Sequence, residues 1–427
     1  MYPVPFPLEP SLWAATACEA PETGVLEGSE QADVIVIGGG FAGLSTALHL
    51  ARKGVKVVLL EARQIGFGAS GRNGGQVIPG LKYDPKDLVK MFGQERGSRL
   101  ISFAGRTADT VFDLIRSHQM NVPHVRSGWV QGAHNQAAYE LAQSRSRQWG
   151  DLGAPARMLD KAQVQEMLGT ESYLGGWIDE RAGAVQPLSY ARELARVAIE
   201  LGVKIFTDSP VTKLQINGLR WTASTASTGS VTADKVVLCT NGYSQGLWPN
   251  LQHTVIDAIS YLIATKPLPD NLRSKVIPGG QVCSDARNLL FYFRLDHDGR
   301  FVLGGRGPFR EPKGPEDWSH IERMVSKMFP QISGLPIDHR WCGRVAVTQD
   351  FLPHIHEPKP GLLIDIGCMG RGVGLQSTMG QAMADYLLTG NRDVLPFEST
   401  DIKPLPFYGL RQIYVNALMA WYRLRDI

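Results

Sequence analysis

The chain has 427 residues, 43% hydrophobic and 20% charged, the composition of a globular protein too long for one hydrophobic core. Its 44 basic and 41 acidic residues leave a formal net charge of +3, which removes the electrostatic case for nucleic-acid binding. Five scattered cysteines (Cys18, Cys239, Cys283, Cys342, Cys368) include no C-x-x-C pair, so neither a disulfide framework nor a zinc site is expected, and a reducing, cytoplasmic compartment is.

Residues 1–30 read as an irregular arm rich in Pro and Glu, without the basic start and apolar core of a signal peptide. No run of about 18 apolar residues occurs, so no membrane span is expected. "DVIVIGGG" is a continuous apolar strand, the kind buried on both faces of a parallel sheet. "FAGLSTALHLARKG" has helical spacing and stops at Gly54, and "VKVVLLE" is a second strand, completing a βαβ unit. Next comes "GFGASGRNGGQV", Gly66 to Val77, with five glycines in twelve residues. Residues 85–119 read as helices, "VPHVRSGWVQGAHN" as short strands, and "AAYELAQSRSRQWGDLG" as a polar helix. "PLSYARELARVAIELG" is a helix with Pro187 in its first turn. "VKIFTD" and "VTADKVVLCTNGYS" return to buried strands, and residues 251–310 alternate strand and turn as an antiparallel sheet would. "HRWCGRVAVTQDFLPHI" and "GLLIDIGCMGRGVGLQSTMGQAMADYLLTG" supply closing strands, a glycine turn and a helix. In the tail, Leu410, Ile413, Val415, Leu418, Trp421 and Leu424 recur at helical spacing beside basic residues. Such a helix packs on its own protein or a sister subunit, or rests on a membrane or redox partner.

Gly38, Gly40 and Gly43 form a G-x-G-x-x-G directly after a strand and opening a helix, where pyrophosphate meets unpaired N–H groups. Glu61 ends the second strand at the position from which an acid accepts ribose hydroxyls. An acid there argues against a 2′-phosphate and so against NADP, and the motif alone leaves NAD and FAD open. The glycines of 66–77 favour FAD, because bare backbone lets a flavin ring lie against the main chain.

"DVIVIGGGFAGLSTALHLARKGVKVVLLEARQIGFGASGRNGGQ", with "WCGRVAVTQDFLPHI" and "GCMGRGVGLQSTMGQAMADYLL", resembles the FAD-dependent amine oxidoreductases of the D-amino-acid oxidase superfamily. The nearest branch is that of gamma-glutamylputrescine oxidoreductases and L-pipecolate oxidases. The resemblance implies an α/β fold (α+β overall), with a doubly wound FAD-binding domain and an antiparallel-sheet substrate domain. The FAD-binding domain would comprise residues 31–85, 187–250 and 340–395, and the substrate domain 86–186 and 251–339. Residues 396–427 would form a helical tail. It places Gly38, Gly40, Gly43, Glu61, Ala62 and Arg63 at the adenosine half of non-covalent FAD, with Val211 at the adenine and Asn241 on the returning strand. Ser70, Arg72, Asn73, Gly74, Gly75 and Gln76 would border flavin and pyrophosphate. Gly370, Arg371, Gly372 and Val373 would start a helix whose N–H groups face the flavin pyrimidine.

The activity so implied is oxidation of a CH–NH bond of an amine or imino acid, with oxygen or a quinone-type carrier as electron acceptor. A 2-hydroxy-acid or polyol dehydrogenase on the same fold, or a non-catalytic flavin-binding subunit, are the rival readings. Amine oxidation asks for orientation and cations that keep the amine neutral, and the candidates are Arg72, Arg306, Arg344 and Arg371, with Tyr292 and Arg294 on a neighbouring strand. His354 suits packing better than catalysis, and His124, His134, His253, His297, His339 and His356 lack metal-ligand spacing. Three departures from the sarcosine oxidase branch stand out. "RVAVT" has no cysteine for covalent flavin attachment, Gly374 replaces a carboxylate-gripping base, and Val302 replaces an oxygen-activating Lys.

Overall fold

Four short runs, Val34–Ile37, Val57–Leu60, Lys235–Leu238 and Leu362–Ile366, are almost entirely buried, as apolar strands covered on both faces must be. In the computed structural model, which describes residues 6–426, they form a six-stranded sheet with Lys204–Phe206 and His354–Lys359. The order is 204–206, 57–60, 34–37, 235–238, 362–366, 354–359, parallel except for the last strand. Ile37 is in register with both Leu60 and Leu238, so Gly38, Glu61 and Cys239 stand side by side at the carboxyl edge. That edge is where open α/β sheets bind ligands.

Helix Phe41–Ala51 packs on helix Gly372–Thr389 so closely that a Cβ on Gly380 would lie 2.6 Å from Ser45 Cβ. Thr107, at the start of helix Thr107–Ser117, packs against Gly374, which puts the helical pair 85–117 on this side of the molecule.

The second large sheet has eight strands, in the order 337–348, 255–267, 300–306, 291–295, 282–285, 129–133, 175–179, 156–159. It is antiparallel except where Val282–Asp285 pairs parallel with Trp129–Ala133. Strand Ile337–Thr348 lies wholly in this sheet, so residues 340–348 go with it and not with the six-stranded sheet.

The N-terminal arm departs from expectation. Leu12–Thr16 is a helical turn capped by Ser11, and Leu12 and Trp13 are fully buried beside Leu188, Leu262 and Trp341. Trp13 Nε1 donates to the Asn73 carbonyl at 2.7 Å, and Ser29–Gln31 adds a strand to residues 230–233. The surrounding prolines hide this turn, because a five-residue helix has no periodicity to read. Residues 1–5 of the arm and Ile427 of the tail lie outside the described residues.

Asp365 sits in the buried strand 362–366 with Oδ1 unpartnered, and burial pushes its pKa up to about 8. A raised carboxyl stabilises the fold fully only below its unfolded pKa, and that contribution is lost as pH rises to the folded value. Asp365→Asn should therefore gain stability over the wild type as pH rises from 5 to 8, by up to about 1.4 kcal/mol per pH unit. Urea unfolding at several pH values measures it, and parallel curves for the two proteins would refute a buried acid.

Candidate active site

The carboxyl edge of the six-stranded sheet is built by close approach. Gly38 has φ +112° and would bring a Cβ to 2.7 Å from the Cys239 carbonyl, and a Cβ on Gly43 would lie 2.0 Å from the Gly38 carbonyl. Helix 41–51 has no side-chain cap from its own Ncap residue; Phe41 N–H donates instead to Ser70 Oγ at 3.0 Å, next to Gly40. Glu61 Oε2 accepts from Gly39 N–H at 2.6 Å and Oε1 from Arg63 N–H at 2.9 Å. Burial pushes the Glu61 acid up, and these N–H groups partly hold it down. Ala62 follows it, and Val211 begins the strand 211–217. Asn241 lies just past strand 235–238, where its Oδ1 accepts from Gly367 N–H at 3.0 Å and ties two edge loops together.

The glycine strap 66–77 has protein neighbours at most of its glycines. Gly66 and Gly71 face Leu188, Gly74 would place a Cβ 2.6 Å from the Tyr292 ring, and Gly75 one 2.3 Å from the Val185 carbonyl. These four are therefore demanded by packing against the protein itself, where the sequence reading assigned the bare backbone to a ligand. Asn73 shapes the turn, donating to the Ala69 and Ser70 carbonyls and accepting from Gly75 N–H. Gln76 Nε2 donates to the carbonyls of Cys283 and Phe293, joining the strap to the eight-stranded sheet. Arg72 is 2% exposed: Nε donates to the Phe67 carbonyl, Nη1 to those of Pro7 and Cys342, and Nη2 has no partner.

Across from the strap, Gly370 (φ +81°) has open space where a Cβ would stand, and Arg371 and Gly372 open the helix 372–389, whose N-terminus has no side-chain cap. Val373 is buried in the core behind it. Arg371 donates to the Pro79 carbonyl and lies over the Trp129 ring, 5.3 Å from its centre. Burial first, and Arg145 next, lower its pKa to about 10. Around it runs a small polar cavity lined by Gly80, Tyr83, Asp84, Trp129, Arg145 and Trp177.

Lys82, absent from the sequence-based candidates, belongs to this group. It is solvent-accessible, yet the surrounding protein disfavours its ammonium form, and Arg371, Arg145 and Arg306 disfavour it further. The only signal in the sequence is its place in a Pro/Gly turn, "IPGLKYDP", shortly after the strap.

Tyr292 hydrogen-bonds Ser260 Oγ through its hydroxyl at 2.7 Å, and burial pushes its phenol up to about 12. Arg306 is beside it, with Nη1 buried and unpartnered. Arg344 is spent differently: both Nε and Nη2 donate to Glu311 Oε1 at 3.2 Å, and the guanidinium lies over the Tyr243 ring. Arg294 is likewise held, on the Val185 carbonyl and over Trp13. His354 pairs with Asp350 at 3.0 Å, and Arg300 bridges Asp296 and Asp298 where these cluster with His297. Cys342 donates its thiol to Glu311, and burial with that carboxylate pushes the thiol well up.

The family profile described as FAD dependent oxidoreductase, DAO, matches residues 33–386. The chain belongs to the DAO family. Among curated relatives, a probable oxidoreductase OrdL of Haemophilus influenzae is 31% identical over 390 residues, covering 90% of this chain and 89% of its own. The gamma-glutamylputrescine oxidoreductase of Escherichia coli K12 is 31% identical over 428 residues, covering 97% and 98%. Among solved structures, glycine oxidase from Geobacillus kaustophilus superposes with a TM-score of 0.72 at 18% identity, over 87% of this chain and all of that one. L-proline dehydrogenase from P. horikoshii gives 0.71 at 18% identity, over 86% and 96%.

As a DAO family member the protein is an FAD-dependent oxidoreductase. The donors and acceptors at this edge fit that cofactor. The N-termini of helices 41–51 and 372–389, neither capped by the side chain of its own Ncap residue, suit phosphate and electron-rich ring atoms, and Glu61 suits a ribose diol. Arg72 Nη2 and Arg306 Nη1 are buried donors for which the described residues supply no acceptor. Among the described residues, no helix is long and apolar enough to cross a membrane.

Proposed function

We propose that this enzyme oxidises the CH–NH bond of an amine or imino acid to an imine. FAD, when bound, supplies the acceptor for the hydride that leaves carbon. The chain's own task is to hold a neutral amine beside it, because an ammonium nitrogen has no lone pair to stabilise the cation left behind. The observation that carries this reading is Arg371, which rests on the Pro79 carbonyl and the Trp129 ring and shares a small polar cavity with Arg145. A substrate amine entering the field of these cations is pushed towards neutrality. Relatives named for gamma-glutamylputrescine and glycine support the assignment to amine donors.

In this reading the six-stranded sheet with its helices is the FAD-binding domain, and the eight-stranded sheet, from residue 337 to Thr348 included, is the substrate domain. Gly38, Gly40, Gly43, Glu61 and Ser70 hold the adenosine and pyrophosphate, the Gly370–Val373 turn holds the flavin, and Tyr292, Arg306 and Arg371 face the substrate. Arg72 and Arg344 are positioning residues, since carbonyls and Glu311 already engage them. Val302 is fully buried in the apolar cluster with Trp13 and Leu262 and offers no cation to oxygen, which favours a quinone-type acceptor over oxygen.

Anaerobic mixing of the FAD-loaded protein with a panel of amines, imino acids and 2-hydroxy acids tests the function. An amine or imino acid should bleach the flavin within seconds, whereas bleaching by hydroxy acids alone, or by nothing, rejects it. Acid precipitation should leave all FAD in the supernatant, because Cys342 is held as a thiol on Glu311 and no cysteine lies in 344–348. Yellow colour remaining with the pellet would contradict this.

A further inference from the structure

The tail helix Arg411–Arg425 is fastened to the body along one side. Val415 is buried, the preceding Leu405 N–H donates to the His253 carbonyl, and Asp426 accepts from Asn288 and from Leu289 N–H. The opposite side is apolar and faces solvent. Leu410 (54% exposed), Ile413 (68%), Trp421 (56%) and Leu424 (69%) share that face by their three- and four-residue spacing, with Tyr414 and Leu418 between them. Phe407, 81% exposed, extends it. An apolar face this continuous, on a helix pinned at both ends, is a built surface.

Its charges choose the occupant. Arg423 and Arg425 are exposed in the last turn and form no ion pair among the described residues, while the neighbouring acid, Asp426, is already engaged. Burial first, and Arg323 and Arg423 after it, disfavour protonation of His320 on helix Ser319–Met328, so the positive charge of the tail adds to that of the body there. The face is thus apolar with an aromatic pair and a basic rim. A second copy joined isologously would cover the apolar residues but bring no free acid of this helix to the arginines, Asp426 being engaged. A bilayer with anionic headgroups meets both needs: acyl chains take Ile413, Trp421 and Leu424, and the arginines reach the phosphates.

We propose that this helix docks the enzyme on the surface of an anionic membrane, lying in its plane. The test uses the full-length, FAD-loaded protein and sedimentation with phosphatidylcholine vesicles, with and without phosphatidylglycerol. Wild type should bind the phosphatidylglycerol vesicles, stay free of pure phosphatidylcholine, and be released by high salt. Arg423→Gln with Arg425→Gln should weaken binding roughly 30-fold, from two cations lost at an anionic surface. Ile413→Ser with Trp421→Ser should abolish it. Both pairs should keep the wild-type flavin absorbance, which certifies the fold. No binding to phosphatidylglycerol vesicles, equal binding to both vesicle types, or binding that neither pair weakens would overturn the proposal. So would a lipid-free dimer that the serine pair converts to monomer, since a second copy would then cover the face.

Discussion

Glu61→Ala raises the dissociation constant for FAD by roughly one to two orders of magnitude, because a half-buried carboxylate that accepts hydroxyl donors forms charge-assisted bonds. The carboxylate is fixed at the strand end by the Gly39 and Arg63 N–H groups, so it is preorganised and a ligand meets it without further ordering. Glu61→Gln keeps one acceptor and loses the charge, and its effect falls between wild type and alanine. Fluorescence quenching of FAD by refilled apoprotein measures all three. Some loss of apoprotein stability accompanies the alanine variant, since two backbone donors lose their partner. Unfolding of the apoprotein separates that cost from the ligand effect. Unchanged FAD affinity in Glu61→Ala would place the adenosine elsewhere.

The strand–turn–helix that carries Glu61 was legible in the sequence, and for a physical reason. Parallel strands covered on both faces leave unbroken apolar runs, and backbone crowding at Gly38 and Gly43 leaves no choice of residue. Both facts are local, and so both can be read from a short window. The rest of the site depends on what distant segments bring together. Gly74 is explained only by Tyr292, which lies more than two hundred residues away in the chain. The charge on Lys82 is disfavoured first by burial and then by Arg371, Arg145 and Arg306, which come from three other elements. The same limit appears in the tail. Its helical spacing was legible, but periodicity cannot say which of two apolar faces is covered, and the structure buries Val415 while leaving Ile413, Trp421 and Leu424 in solvent. Arg344 is a candidate cation in the sequence, outside the glycine turns that set Arg72 and Arg371 apart; that Glu311, on a separate loop, pairs with it is visible only in the fold.

That difference in pairing makes Arg371 the more informative substitution. Arg371→Ala should slow anaerobic reduction of the bound flavin by an amine roughly a hundredfold, while FAD affinity changes by less than about tenfold. Its guanidinium caps no side chain of opposite charge; it rests on the Pro79 carbonyl and the Trp129 ring, at the uncapped N-terminus of helix 372–389. Charge placed there costs little in the resting site and acts when negative charge arrives during reaction, so its removal is felt mainly in the rate. The pH profile provides a second, independent readout. A nearby cation disfavours the ammonium form, so the amine titrates in the complex below its solution pKa, and reduction gains speed at correspondingly lower pH. Without Arg371 that midpoint moves up, towards the solution value. Arg344→Ala, whose charge Glu311 already balances, should move it far less. Stopped-flow traces across pH measure both effects, and a variant that reduces at the wild-type rate with an unmoved midpoint would remove Arg371 from the reaction.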